Sequence, residues 1–349
     1  MKRIALLVSI VTVVGVTVGG VAGAAARPSP TTITLVAHDA FAVSKPVLAS
    51  FTAQTGIKVK LLQSGDAGQV LNQAILTKDH PIGDVLFGVD NTFQGRALDA
   101  GIFEAYTPAA LSKVPDEYQL DPTHHLTPVD HGDVCINYDK TWFAKHDVPV
   151  PKTLGDLTKP AYDGKLVVEN PATSSPGLAF QLATIARYGE NGWRAYWTKL
   201  RRNGVLAVDG WEQAYDGQFT QGGNHGTYPL VVSYASSPPA AVYYDHKLKT
   251  SPVGTMLDSC FQQVEFVGVL KGTAHRAAAR KLVDFMLSPA FQADMPLQMF
   301  VFPVREGTPL PPVFQKYAEV PPHPTSLPPT DIARNRDEWI QQWTDTVLR

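Results

Sequence analysis

Short β-branched, apolar runs alternate with segments of helical spacing through the first third of the chain, and each pair ends in a polar turn. Residues 32–37 (T-I-T-L-V-A) predict a strand ending at His38-Asp39-Ala40-Phe41. Residues 46–55 place Val47, Leu48 and Phe51 on one face, a helix stopped by Gly56. A second strand, 57–62, runs into S-G-D-A-G (64–68), after which Val70, Leu71, Ala74 and Ile75 keep helical spacing; a third, 84–88, leads through V-D-N to a helix near Leu98 closed by Gly101. Repeated β-then-α units predict an α/β fold whose sheet is mostly parallel, with both faces covered. In such sheets ligands sit beyond the carboxyl ends of the strands. Those ends carry His38 and Asp39, then Asp66 and Ala67, then Asp90.

A Pro/His/Asp-rich stretch (108–128) interrupts the pattern, and 129–139 resumes it as a strand. A second α/β unit follows: a helix near 153–157, a strand at 165–169, helices over 178–188 and 193–200, strands at 204–208 and 230–233. Residues 260–270 read as a strand leaving this unit, and 274–287, 288–294 and 330–347 as helices. The chain thus leaves one lobe, builds another and returns, with 129–138 and 260–270 as the crossovers. Each carries one cysteine, Cys135 or Cys260. Crossovers lying side by side would bring the two sulfurs within bonding range and stiffen a hinge.

Between 167 and 178 the chain reads V-V-E-N-P-A-T-S-S-P-G-L. Thr173, Ser174 and Ser175 fall where hydroxyls cap a helix, Pro176 suits its first turn, and Gly177 lets a ligand approach the backbone. Two readings stay open: an ordinary well-capped helix, and an anion cup for a phosphate at the positive end of the helix dipole. A second hydroxyl-rich strand-to-helix turn, S-Y-A-S-S-P-P-A (233–240), carries Tyr234, Ser236 and Ser237, and D-G-W-E-Q-A-Y (209–215) carries Trp211 and Tyr215.

Composition narrows the partners. Across 349 residues, 30 Lys+Arg against 32 Asp+Glu give a formal charge of −2, with no basic block to follow nucleic acid or an anionic membrane. Met-Lys-Arg, an apolar run and an Ala-rich segment predict a secretory signal over 1–26, hence export to the periplasm or cell envelope. No cysteine follows that run for lipidation. In an oxidising compartment, an even pair of cysteines permits one disulfide, the alternative being two buried thiols. No zinc-site spacing, P-loop, dinucleotide fingerprint or Ser/His/Asp elbow is present, and no cofactor is implied.

The order of these segments, with H-D-A-F-A (38–42), S-G-D-A-G, G-V-D-N (88–91), N-P-A-T-S-S-P-G-L (170–178), D-G-W-E-Q-A-Y, S-Y-A-S-S-P, F-M-L-S-P-A-F-Q (285–292) and M-F-V-F-P-V (299–304), resembles the thiamine-binding periplasmic proteins that serve ABC importers. The resemblance implies a type II periplasmic-binding-protein architecture: two lobes, each a mostly parallel sheet flanked by helices, joined by a two-strand hinge. Lobe 1 is then 31–131 plus 265–349 and lobe 2 is 132–264, with the ligand cleft between them. It implies a monomer that binds thiamine or its phosphate esters and presents them to a membrane permease, with no catalysis. By position, Asp66 answers the ligand's positive charge, Ser174 and Ser175 hold its hydroxyethyl or phosphate end, and Trp211 and Tyr234 are aromatic walls. Tyr215, Ser236 and Ser237 complete that side. His38-Asp39 stands where the family has Tyr-Asp, Phe300 where it has a stacking Trp, and Ala240 where it has a Tyr, so the cage is thinner unless Tyr243 or Tyr244 fills in.

Two rivals share this fold. Tyr243-Tyr244 resembles the tyrosine pair of ferric-ion-binding proteins, and a thiaminase I-like enzyme would use Cys135 as its nucleophile beside Asp133.

Overall fold

The computed structural model describes residues 31–349; the proposed signal segment lies outside them. Ten strands are found among the described residues: β1 (Thr32–Ala37), β2 (Lys58–Gln63), β3 (Val85–Asp90), β4 (Phe103–Glu104), β5 (Thr127–Asp139), β6 (Leu166–Glu169), β7 (Leu206–Val208), β8 (Leu230–Tyr234), β9 (Val253–Leu270) and β10 (Phe302–Pro303). One sheet runs β2-β1-β3-β9-β5-β8-β6-β7, with short β4 and β10 alongside β9 and β5. Each wing is parallel, β2-β1-β3 on one side and β8-β6-β7 on the other. The centre is antiparallel, because β5 and β9 carry the chain out to the second wing and back.

Apolar faces account for the layers. All of β3 is buried, and its Val85 and Phe87, with Ile33, Leu35 and Val267, pack with Phe51, Phe285 and Phe291 of the helices Lys45–Thr55, Arg276–Met286 and Pro289–Gln298. On the second wing, Phe180 of helix Ser175–Tyr188 meets Trp197 of helix Trp193–Arg202 edge to face at 5.6 Å, and Trp197 meets Trp343 of helix Pro329–Val347 at 5.4 Å. That last helix also touches the first wing, where the Arg336 guanidinium lies 4.6 Å from the centre of the Phe93 ring. It therefore packs against helices of both wings, Trp193–Arg202 and Gln94–Asp99.

Two local expectations change. The segment near 153–157 forms only short 3₁₀ turns, Asp156–Thr158 and Pro160–Tyr162, since Gly155 and Pro160 leave no room for a full α-helix. The strand expected at 260–270 begins at Val253 and runs 18 residues. That length lets β9 span both wings. Its register against β5 shifts between Val134 and Ile136, and Cys135 and Cys260 form a disulfide there, with Cα atoms 4.2 Å apart. The side-by-side crossovers predicted from the sequence are those two strands.

Candidate ligand cleft

A cavity of about 610 Å³ opens at the carboxyl ends of β1, β2, β7 and β8, within the ~300–1,000 Å³ common for small-molecule sites. Its two sides are built differently. On one, the turn after β7 presents Trp211, which stacks on Tyr215 at 4.9 Å and 15°. The Trp211 indole N–H donates to Ser233 Oγ at 3.0 Å, and Ser233 in turn bonds Ser237 at 3.0 Å. Burial, followed by the charges of Glu265, Asp66, Asp90 and Asp130, keeps the Tyr234 phenol protonated by pushing its pKa well up. Tyr244 and Phe300 close this side with ring centres 5.7 Å apart.

Acids dominate the other side. In register, Asp90 on β3, Glu265 on β9 and Asp130 on β5 stand in one row, all buried. Glu265 reaches the cavity and pairs with His38 Nε2 at 3.3 Å. Burial alone would lower the His38 pKa, but the hydrogen bond and charge of Glu265, with the charges of Asp66 and Asp39, outweigh it and hold it above its ordinary value. His38 fits because position 88 is glycine: at its φ of +102° a side chain is strained, and a Cβ would come within 2.4 Å of the imidazole. Asp130 is raised far above the usual carboxylate range, first by burial and then by Glu265. Its oxygens meet no N–H or hydroxyl donor.

The turn at 167–178 behaves in a way that the sequence left open. Ser174 caps the helix Ser175–Tyr188, accepting from the Gly177 N–H at 3.5 Å. The close approach at Gly177 is made by β6, since a Cβ there would lie 2.6 Å from the Glu169 carbonyl oxygen. Ser175 Oγ accepts from Gln263 Nε2, which also donates to Asp90. Asp66 caps the helix Ala67–Leu76, accepting from the Ala67 N–H at 2.6 Å, and receives the Trp211 N–H at 2.8 Å and the Ser174 hydroxyl. Beside it the Gly68 N–H donates to the Thr173 carbonyl at 2.9 Å. These bonds tie the first wing to the second across one end of the cavity.

Comparison with known proteins agrees with this architecture. Residues 80–334 match the family described as bacterial extracellular solute-binding protein. The chain belongs to that family. It is 29% identical to the thiamine-binding periplasmic protein of Escherichia coli, over 91% of this chain and 94% of that one. A solved periplasmic thiamin binding protein superposes with a TM-score of 0.79 at 27% identity, covering 91% of this chain and 96% of its own. Iron-bound HitA from Pseudomonas aeruginosa shares the fold, with a TM-score of 0.71 at 21% identity over 91% of this chain and 99% of that chain.

In this solute-binding protein, His38, Asp39, Asp66, Ser175, Trp211, Tyr215, Tyr234, Ser237 and Phe300, all singled out from the sequence, line this cavity, as do Ala240 and Tyr244. Ala67, Asp90, Ser174 and Ser236 lie behind its wall. Asp90 is fully buried, accepting from the Thr92 hydroxyl and the Thr92 and Phe93 N–H groups, and Ser236 is fully buried too. Sequence reading missed Glu265 and Glu212. The signal for Glu265 was an acid inside an otherwise apolar strand run, Q-Q-V-E-F-V, and Glu212 sat in plain view next to Trp211.

Proposed function

We propose that this protein is the exported receptor of an ABC importer and binds thiamine, an aromatic cation, by closure of its two lobes. Lobe 1 comprises 31–131 and 265–349 and lobe 2 comprises 132–264, with 1–26 as the export signal; the protein works as a monomer and hands its ligand to a membrane permease. The observation that carries the reading is the pairing of the stacked Trp211–Tyr215 face and Tyr234 with the acids Glu265, Asp66 and Glu212 around one cavity. A flat cation needs π faces and negative charge together. The names of the relatives point to the same ligand. Calorimetry with thiamine on the purified protein should give one-to-one binding; no heat and no shift in melting temperature at millimolar thiamine would sink the reading.

Two rivals have direct tests. Cys135 is bonded to Cys260, which leaves it no thiolate for attack. Thiol titration of the unreduced, denatured protein should therefore find no free sulfhydryl, and one reactive thiol would reopen the enzyme. For iron, the Tyr243 and Tyr244 rings pack against Phe300, with centres 5.8 and 5.7 Å from it, on the aromatic side of the cavity. Ferric citrate should give no visible tyrosinate band.

A further inference from the structure

The two ends of the row Asp90–Glu265–Asp130 are served very differently. Asp90 receives the Thr92 hydroxyl, the Thr92 and Phe93 N–H groups and the Gln263 amide, donors that favour a carboxylate. Asp130, 1% exposed, stands directly opposite Glu265 in the register of β5 on β9, and neither of its oxygens meets a donor. Two opposed, buried carboxyls are not both charged unless cations compensate them, so the pair retains a proton. The one basic group at hand is His38, 3.3 Å from Glu265. Among the described residues lining the cavity there is no lysine and no arginine. Arg336 of helix Pro329–Val347 acts on Asp90, at the far end of the row, and His131, next to Asp130, is kept neutral by burial between the Tyr118 and Phe302 rings. The other groups near the pair are acids or a phenol: Asp39 and Asp66 beside His38, and Tyr234 on β8. Across the cavity Glu212, Asp216 and Asp245 add negative charge, against His225.

Resting on the reading of the cleft as a thiamine site, we propose that Asp130 is a positioning residue that acts through Glu265: it holds a proton while the cleft is empty and gives it up when a cation arrives, so that ligand binding is coupled to proton release. The cause is electrostatic. Glu265 lines the cavity and Asp130 lies behind it, so a positive charge beside Glu265 cancels the repulsion that keeps the O–H bond of Asp130 intact. That bond then breaks, its electron pair stays on the carboxylate, and the proton passes to the buffer. His38 acts in the same sense, because the incoming charge repels the proton on its imidazole. The row thus withholds part of its negative charge from the empty cavity, where it would be costly, and develops it only against a cation. By linkage, affinity rises with pH wherever binding expels a proton.

Calorimetry of thiamine binding at pH 7, repeated in two buffers of different ionisation enthalpy, counts the protons released. The thiazolium charge is fixed near neutral pH and the aminopyrimidine is uncharged, so the protons come from the protein. About half a proton or more should leave per thiamine bound, and affinity should rise about threefold or more between pH 6.5 and 7.5. Asp130→Asn keeps the shape of the side chain without its ionisable proton; release should fall to about half the parent value or less and the pH profile should flatten. Asp133→Asn, on the same strand but outside the cavity lining, should leave the proton count as in the parent, which separates coupling from a general effect on stability. Thiamine binding with no proton release, or with uptake, would overturn the inference and leave the proposed function standing. Release unchanged in Asp130→Asn would overturn the role of Asp130. No thiamine binding at all would remove the proposed function and the inference with it.

Discussion

The two sides of the cavity are opposite solutions to holding a side chain in place. On the aromatic side the polar bonds close: the Trp211 indole has Ser233, Ser233 has Ser237, and the Trp211 ring rests on Tyr215, itself packed on Phe219 at 5.3 Å. On the acidic side they close only in part: Asp90 is met by Thr92, Phe93 and Gln263, while both oxygens of Asp130 lack a donor. Asp90, Glu265 and Asp130 share one row across three strands, and His38 is the single basic group paired to it. Rigid rings give a face prepared in advance for a flat ligand, which limits the ordering cost of binding. Crowded carboxylates in a low dielectric give negative charge that is costly when the cavity is empty and relieved when a cation arrives. One side supplies shape and the other supplies charge.

Removing shape should cost most. In Trp211→Ala the stacking face is lost along with the partner of Ser233, and thiamine affinity should fall about 30-fold or more, roughly 2 kcal/mol, as expected for a central aromatic anchor. Trp211→Phe, which keeps a ring without the indole N–H, should recover most of that loss. If calorimetry finds Trp211→Ala within about threefold of the parent, the aromatic side is packing and not a binding face.

Removing charge should cost less. Glu265→Gln keeps the shape of the side chain while taking one negative charge from the cavity and one repulsive neighbour from Asp130. Thiamine affinity should drop about tenfold, while the melting temperature should change little, since losing the partner of His38 and relieving the crowding on Asp130 act in opposite directions. Falling stability with unchanged affinity would show that Glu265 serves the hinge alone.

The same division explains what could be read in the sequence. Both parallel wings followed from hydrophobic periodicity, and the cleft from the polar residues at their strand ends, because these are local signals. His38 was found that way, while Trp211 and Tyr234 stood in strand-end turns and took their role as aromatic walls from the family resemblance. Glu265 was not, for its place depends on register: only the pairing of β9 with β3 and β5 brings it beside Asp90 and Asp130. Ser174 and Asp66 were found but their partners were not, since a helix start shows that a cap is needed without showing which distant residue will meet it. The answer, a carboxylate from 108 positions earlier in the chain, was beyond any local pattern.

Acidity offers the finest probe of the comparison, because the aromatic side is blind to pH in the neutral range and the strands behind the acidic side are not. Burial lifts Asp133 on β5 to about 7, and it lifts Asp130 and Glu169 well above the carboxylate range. A carboxyl whose pKa is higher folded than unfolded binds an extra proton in the native state, so its contribution to stability is complete at low pH and is lost as pH rises through the folded value. His38, also raised, acts with the same sign. His131 opposes them, because burial lowers it to about 4, but its effect is confined largely to pH below about 6.5, where the unfolded imidazole is charged. Between pH 6.5 and 8 the acids therefore govern, and the unliganded protein should lose about 1 kcal/mol or more of stability as pH rises, Asp133 alone supplying about that much. Thermal melts across this window should show the midpoint falling with pH in the parent and falling less in Asp133→Asn. A midpoint that is flat or rises with pH would mean that these carboxyls are ionised in the fold, and that the acidic side is not the strained half of the cleft.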